Sequence, residues 1–102
     1  MPSIDQIRSM LESDPDDAFL RYALAQELAK AGEHDEAIAE YDRVIAIDAH
    51  EHYAYFHKAR SLEACGEIEQ AIATLEAGLN IATADAEQKA ASEIAGYINQ
   101  LR

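Results

Sequence analysis

Residues 18–83 read AFLRYALAQELAKAGEHDEAIAEYDRVIAIDAHEHYAYFHKARSLEACGEIEQAIATLEAGLNIAT, and the stretch is one helical hairpin written twice. Displaced by 34 residues against itself, it brings Ala25 onto Ala59, Leu28 onto Leu62, Gly32 onto Gly66, Ala37 onto Ala71, Ile38 onto Ile72 and Ile47 onto Ile81. Small residues meet small ones and glycine meets glycine, so what recurs is shape rather than composition. A fixed period of this size marks a stacked architecture in which each unit buries its apolar face only against its neighbours.

Within the first copy, Ala18 to Ala31 reads as a helix, A1, with Leu20, Leu24 and Leu28 on one stripe and Ala25 beside them. Gly32 stops it by taking the left-handed conformation that ends many helices. Helix B1 follows, with Asp35 and Glu36 at its dipole-favoured start and Ala37, Ile38, Tyr41, Val44, Ile45 and Ile47 as its apolar positions. The second copy gives A2 from about His52 to Cys65, Gly66 as the stop, and B2 from Ile68 to about Ala82. Upstream, Ser3 and Gln6 form a capping signal before Ile4, Ile7, Met10 and Leu11, a short amphipathic helix over 3–13 that Asp14-Pro15 ends. Downstream, 85–102 places Ala90, Ile94, Tyr97, Ile98 and Leu101 on one face and polar residues opposite, as a closing helix with one wet side requires. The expected organisation is a single all-α domain over 1–102: a half unit (3–13), two units (18–49 and 52–83) and a cap (85–102).

Composition narrows the function. The chain has 20 acidic and 8 basic residues among 102, a net charge of −12, which a nucleic acid would repel. No apolar run approaches the roughly 20 residues that cross a bilayer. The opening Met1 to Gln6 carries no leader pattern, and the lone Cys65 fits a reducing compartment, so the expected location is cytoplasmic.

At the level of individual positions the chain resembles the tetratricopeptide repeat, a helix-turn-helix unit of 34 residues. The positions that carry the likeness are Arg21, Leu24, Ala25, Leu28, Ala37, Tyr41, Val44 and Ala49 in the first copy. In the second they are Tyr55, Lys58, Ala59, Leu62, Ala71, Leu75, Gly78 and Thr83, and in the opening half unit Ile7 and Asp14-Pro15. The resemblance implies a right-handed α-α superhelix of stacked hairpins, with the A helices lining the concave face. Arg21 departs from the pattern where a tryptophan-like residue is usual, and Lys58 where a core leucine is; both are expected to lay their stems on apolar neighbours and lift their charges to water. Neither copy has the closing proline, which leaves B1 free to run on towards A2.

Away from its leucines, A1 has a second stripe, Phe19, Tyr22, Gln26 and Lys30, which A2 repeats with Tyr53, Phe56 and Arg60. Positions of this kind contact peptides in the family, and aromatic and arginine side chains supply large contact area at modest entropic loss. The same residues could equally fill space between neighbouring helices. Each A helix is net positive (Arg21 and Lys30 against Glu27; Lys58 and Arg60 against Glu63), which fits an acidic partner group near Arg60 and Lys30 and fits ordinary solvated faces at least as well. The expectation is a non-catalytic module that holds a protein or peptide segment on this face. The alternative is an array that self-associates weakly through an exposed end helix.

The carboxylate clamp of chaperone-binding members is poorly matched, since Gln26 and His57 stand where asparagines are expected and Tyr22 replaces a lysine. His50, His52 and His57 lie close in sequence but lack the spacing of paired metal ligands, and the acid clusters lack the loop pattern of a calcium site. No nucleophile-base set or phosphate loop is visible, and no cofactor is expected.

Overall fold

The computed structural model describes residues 2–102; Met1, the first residue of the segment read for a leader, lies outside them. Six helices follow one another: α1 (Ile4–Ser13), α2 (Ala18–Lys30), α3 (His34–Ile47), α4 (His52–Ala64), α5 (Ile68–Ala84) and α6 (Gln88–Leu101), with no strand among the described residues.

Local chemistry sets their ends. Ser3 and Gln6 close a capping box on α1, the Gln6 amide donating to Ser3 Oγ (3.2 Å) and the Ser3 amide to Gln6 Oε1 (2.7 Å). Asp17 caps α2 by accepting from the Leu20 amide at 3.0 Å. At the far end of α2, Gly32 sits at φ +81°, and the Glu33 amide reaches back to the Leu28 carbonyl (2.9 Å). Gly66 at φ +79° repeats that turn after α4, with Glu67 bonded to Leu62 at 2.9 Å. The same turn occurs a third time between α5 and α6, where the left-handed residue is Ala86 at φ +59° and Glu87 bonds to Ala82 (2.9 Å). That turn occupies Asp85 to Glu87, so the last helix starts at Gln88.

The missing proline does not fuse α3 to α4. Asp48 to Glu51 form a turn, held where the Tyr55 hydroxyl donates to the Ala49 carbonyl at 2.9 Å.

Apolar stripes from these helices meet in two core clusters, one for each half of the stack. Ile7 and Leu11 of α1 pack with Leu24, Ala25 and Leu28 of α2 and with Ala37, Tyr41 and Val44 of α3. Ala59 and Leu62 of α4 pack with Ala71, Leu75 and Ala82 of α5 and with Ile94 and Ile98 of α6. Each fully buried Leu or Ile contributes about 1.5–3 kcal/mol. The fully buried alanines 25, 37, 59 and 71 let the paired helices approach closely.

Sequential helices pack side by side, and α2 also approaches α4, and α4 approaches α6, at backbone level. Among the described residues no such approach joins α1 to α3 or α3 to α5. The even-numbered helices therefore form the tighter, inner layer and the odd-numbered ones the wider, outer layer of a right-handed superhelical stack. No helix of the described residues is long and apolar enough to cross a membrane.

Candidate functional site

Because the inner layer curves inwards, a trough runs across α2, α4 and α6. Its first part, about 580 Å³, lies between α2 and α4 and is lined by Gln26, Ala29, Lys30, His34, Tyr41, His57, Arg60, Ser61, Glu63 and Ala64. Its second part lies between α4 and α6, against Phe56, Arg60, Glu63, Glu93, Gly96, Tyr97 and Gln100. Arg60 and Glu63, one turn apart on α4, belong to both parts.

The floor of the first part is a packed aromatic group. Tyr22 meets Tyr41 and His57 edge-on, with ring centroids 6.0 Å apart in each case, and His57 also meets Phe56 at 5.4 Å. Tyr41 reaches this floor from the outer helix α3; its ring is buried and its hydroxyl donates to Gln26 Oε1. A buried phenol needs such a partner, and Gln26 supplies it. Burial pushes the Tyr22 phenol up to about 12 and raises Tyr41 as well, so both stay protonated donors. Burial, then the adjacent Arg60 guanidinium, lowers His57, so its ring is neutral at pH 7. His34 Nδ1 and the buried Ser61 hydroxyl share a hydrogen bond of 3.2 Å at the trough's edge.

The second part is more acidic. Phe56 lies 5.1 Å from the Tyr97 ring, and the Tyr97 hydroxyl donates to Glu63 Oε1 at 2.5 Å. Tyr53 packs against Phe56 at 6.5 Å, and burial followed by the neighbouring Glu93 carboxylate raises its phenol.

Among the residues expected from sequence, Gln26, Lys30 and Arg60 line the first part of the trough, and Phe56 and Arg60 the second. Tyr22 is half-buried against the floor, and Tyr53 stands beside Phe56. Phe19 is 80% exposed at the start of α2 and lines neither part. His57, Tyr41, Glu63 and Tyr97 join them. Tyr41 carries a sequence signal, since a phenol in an apolar stripe must deliver its hydroxyl somewhere polar.

The cations distribute differently from the simple picture of a positive inner layer. Arg21 turns outwards to Glu40 (3.0 Å) and Lys58 to Asp42 (2.6 Å), both acids of α3. Lys30 pairs with Glu27 of its own helix at 3.1 Å. Arg60 forms no ion pair among the described residues. A single guanidinium at the junction of the two parts is thus the trough's available cation.

Two family models described as tetratricopeptide repeat match residues 28–93 and residues 1–54. No curated protein matches the chain. Among solved structures, a tetratricopeptide repeat domain protein from Salinibacter ruber is 30% identical, with 87% of this chain and 90% of that one covered and a TM-score of 0.81. The TPR2B domain of yeast Sti1, solved in complex with pHsp70, is 28% identical over 96% of this chain and 78% of its own, with a TM-score of 0.88. PcrH in complex with the chaperone-binding region of PopD is 18% identical, covers 96% and 74%, and at a TM-score of 0.88 shares the fold. With family models that each span more than half of its length, the chain belongs to the tetratricopeptide repeat family.

Proposed function

We propose that the chain is a non-catalytic binding module that holds an extended or helical protein segment in the trough across α2, α4 and α6. The observation that carries this reading is Arg60, a guanidinium without an ion pair among the described residues, set between an aromatic floor and an acidic neighbour. Such a site takes a segment that offers a carboxylate or main-chain carbonyl to Arg60 and an apolar side chain to Phe56 and Tyr22, at the centre of the contact where such anchors count most. The Sti1 domain solved with pHsp70 supports the class of ligand. The poorly matched clamp residues Gln26 and His57 argue for a different segment.

Peptides selected from a random display library on the folded chain test this. They should bind at least about tenfold more weakly to Arg60→Ala and to the Tyr22→Ala, Phe56→Ala double variant, as for removal of anchor residues. Equal binding to variants with unchanged circular dichroism would count decisively against the trough.

Met10 and Phe19, exposed near the α1–α2 end of the stack, favour a second reading, weak self-association through that end. Sedimentation velocity across a concentration series decides it: a constant monomer value removes the idea.

A further inference from the structure

The α3–α4 turn and the first residue of α4 bring two histidines onto a carboxylate at the far end of α5. His50 Nδ1 and His52 Nε2 each lie 2.7 Å from the same atom, Asp85 Oδ2, and the three donor atoms fall within 4.8 Å of one another. We propose that His50, His52 and Asp85 form a site for a divalent transition metal ion of the zinc class, separate from the trough and tying the α3–α4 turn to the end of α5.

The donor set selects the class of ion. Two imidazoles and one carboxylate suit zinc, copper, nickel or cobalt, whereas calcium and magnesium demand more oxygen ligands than this site offers. At metal–ligand distances of about 2.0–2.2 Å, tetrahedral ligands stand roughly 3.3 Å apart. Here the two nitrogen-to-oxygen separations need to open by a fraction of an ångström. The ion would take the place of the protons that now bridge ring nitrogen to carboxylate. His50 then coordinates through Nδ1 and His52 through Nε2, each carrying its proton on the other ring nitrogen, and any imidazolium present releases one proton to solvent. Three protein ligands leave at least one coordination position to water.

The surroundings hold the donors in place. His52 is the first residue of α4 and its side chain is only 14% exposed, so its ring is packed. The His50 main-chain amide donates to Asp48 Oδ1 at 3.0 Å, and the Tyr55 hydroxyl fastens Ala49 next to it. Asp48 and the net charge of −12 both favour a cation here. Sequence spacing did not reveal the site because His50 and His52 do not share one helical face and their third partner lies 33 residues beyond His52.

The test titrates zinc chloride into the untagged, chelator-treated full chain at neutral pH by calorimetry. One zinc ion per chain is expected, with His52→Gln and Asp85→Asn each weakening binding by at least about tenfold, since even partners outside the ligand shell cost that much. His34→Gln and His57→Gln should bind as the wild type does. In case a variant unfolds, histidine ring resonances of the wild-type chain give a second reading: His50 and His52 should shift on adding zinc while His34 and His57 stay. Absence of saturable binding, binding retained in Asp85→Asn, or shifts at His34 and His57 instead would each overturn the assignment.

Discussion

The hairpins α2–α3 and α4–α5 solve the same joint with different chemistry. In the first, Arg21 Nε donates to the Pro15 carbonyl (3.0 Å), its guanidinium pairs with Glu40, and Val44 is fully buried on α3. In the second, 34 residues on, Tyr55 donates its hydroxyl to Ala49, Thr74 stands where Glu40 was, and Gly78 replaces Val44. The reason for the glycine is contact: a Cβ placed on Gly78 would come within 2.6 Å of Tyr55 Cβ. Both side chains reach back six residues to a turn carbonyl, so the position keeps its task while three residues change together. What the repeat conserves internally is the joint, and the side chains around it are exchanged as a set.

Mixing the two sets should break the fold most. Gly78→Val, the first hairpin's residue in the second hairpin's setting, should destabilise by about 3 kcal/mol, the upper end for overpacking a core. Chemical denaturation measures it, and an unchanged midpoint would mean that α4 and α5 are further apart than described. Arg21→Ala removes both the tether and the partner of a mostly buried Glu40, and about 2 kcal/mol should be lost, as for hydrogen bonds to charged groups. Lys58 pairs with a half-exposed Asp42, so Lys58→Ala should cost under about 1 kcal/mol and less still at high salt.

A pH series sharpens the contrast at the junction of the hairpins, where His57 faces Tyr22 of α2, Tyr41 of α3, and Phe56 and Arg60 of its own helix. Its first-copy counterpart is Ala23, which has nothing to titrate. The folded state holds His57 below its ordinary value, chiefly by burial, so on acidification the unfolded chain takes up a proton near pH ~6.5 while the folded chain resists it. Stability attributable to His57 is therefore present above that pH and lost as pH falls below it. In His57→Gln the slope of stability with pH between about 7 and 5.5 should be reduced, read by thermal denaturation.

An effect similar in size to that of Lys58→Ala and opposite in sign belongs to the third turn. Ala86 holds a left-handed conformation that costs a residue with a Cβ about 1–2 kcal/mol, and glycine returns part of any gain as unfolded-state flexibility. Ala86→Gly should stabilise by up to about 1 kcal/mol.

The stack itself was legible because shape recurs. Gly32 and Gly66 mark their turns, and Ala25, Ala37, Ala59 and Ala71 mark close helix approach. The third turn was not, since Ala86 gives no sign that it will take a glycine's conformation. At the candidate site, the inward stripe placed Gln26, Lys30, Phe56 and Arg60 along the trough, but periodicity says nothing of where a long side chain turns. Arg21 and Lys58 lie on inner-layer helices yet bend out to α3 acids, which only packing between helices reveals. Tyr41 is assigned by pattern to the core and also belongs to the trough floor, because its ring satisfies one environment and its hydroxyl the other.

Amide chemical-shift mapping during titration with a peptide selected on the folded chain tests the central claim most directly. Perturbations should concentrate on α2, α4 and α6, around Gln26, Phe56, Arg60 and Tyr97. A footprint on α1, α3 and α5 would contradict the account and move the binding face to the outside of the stack.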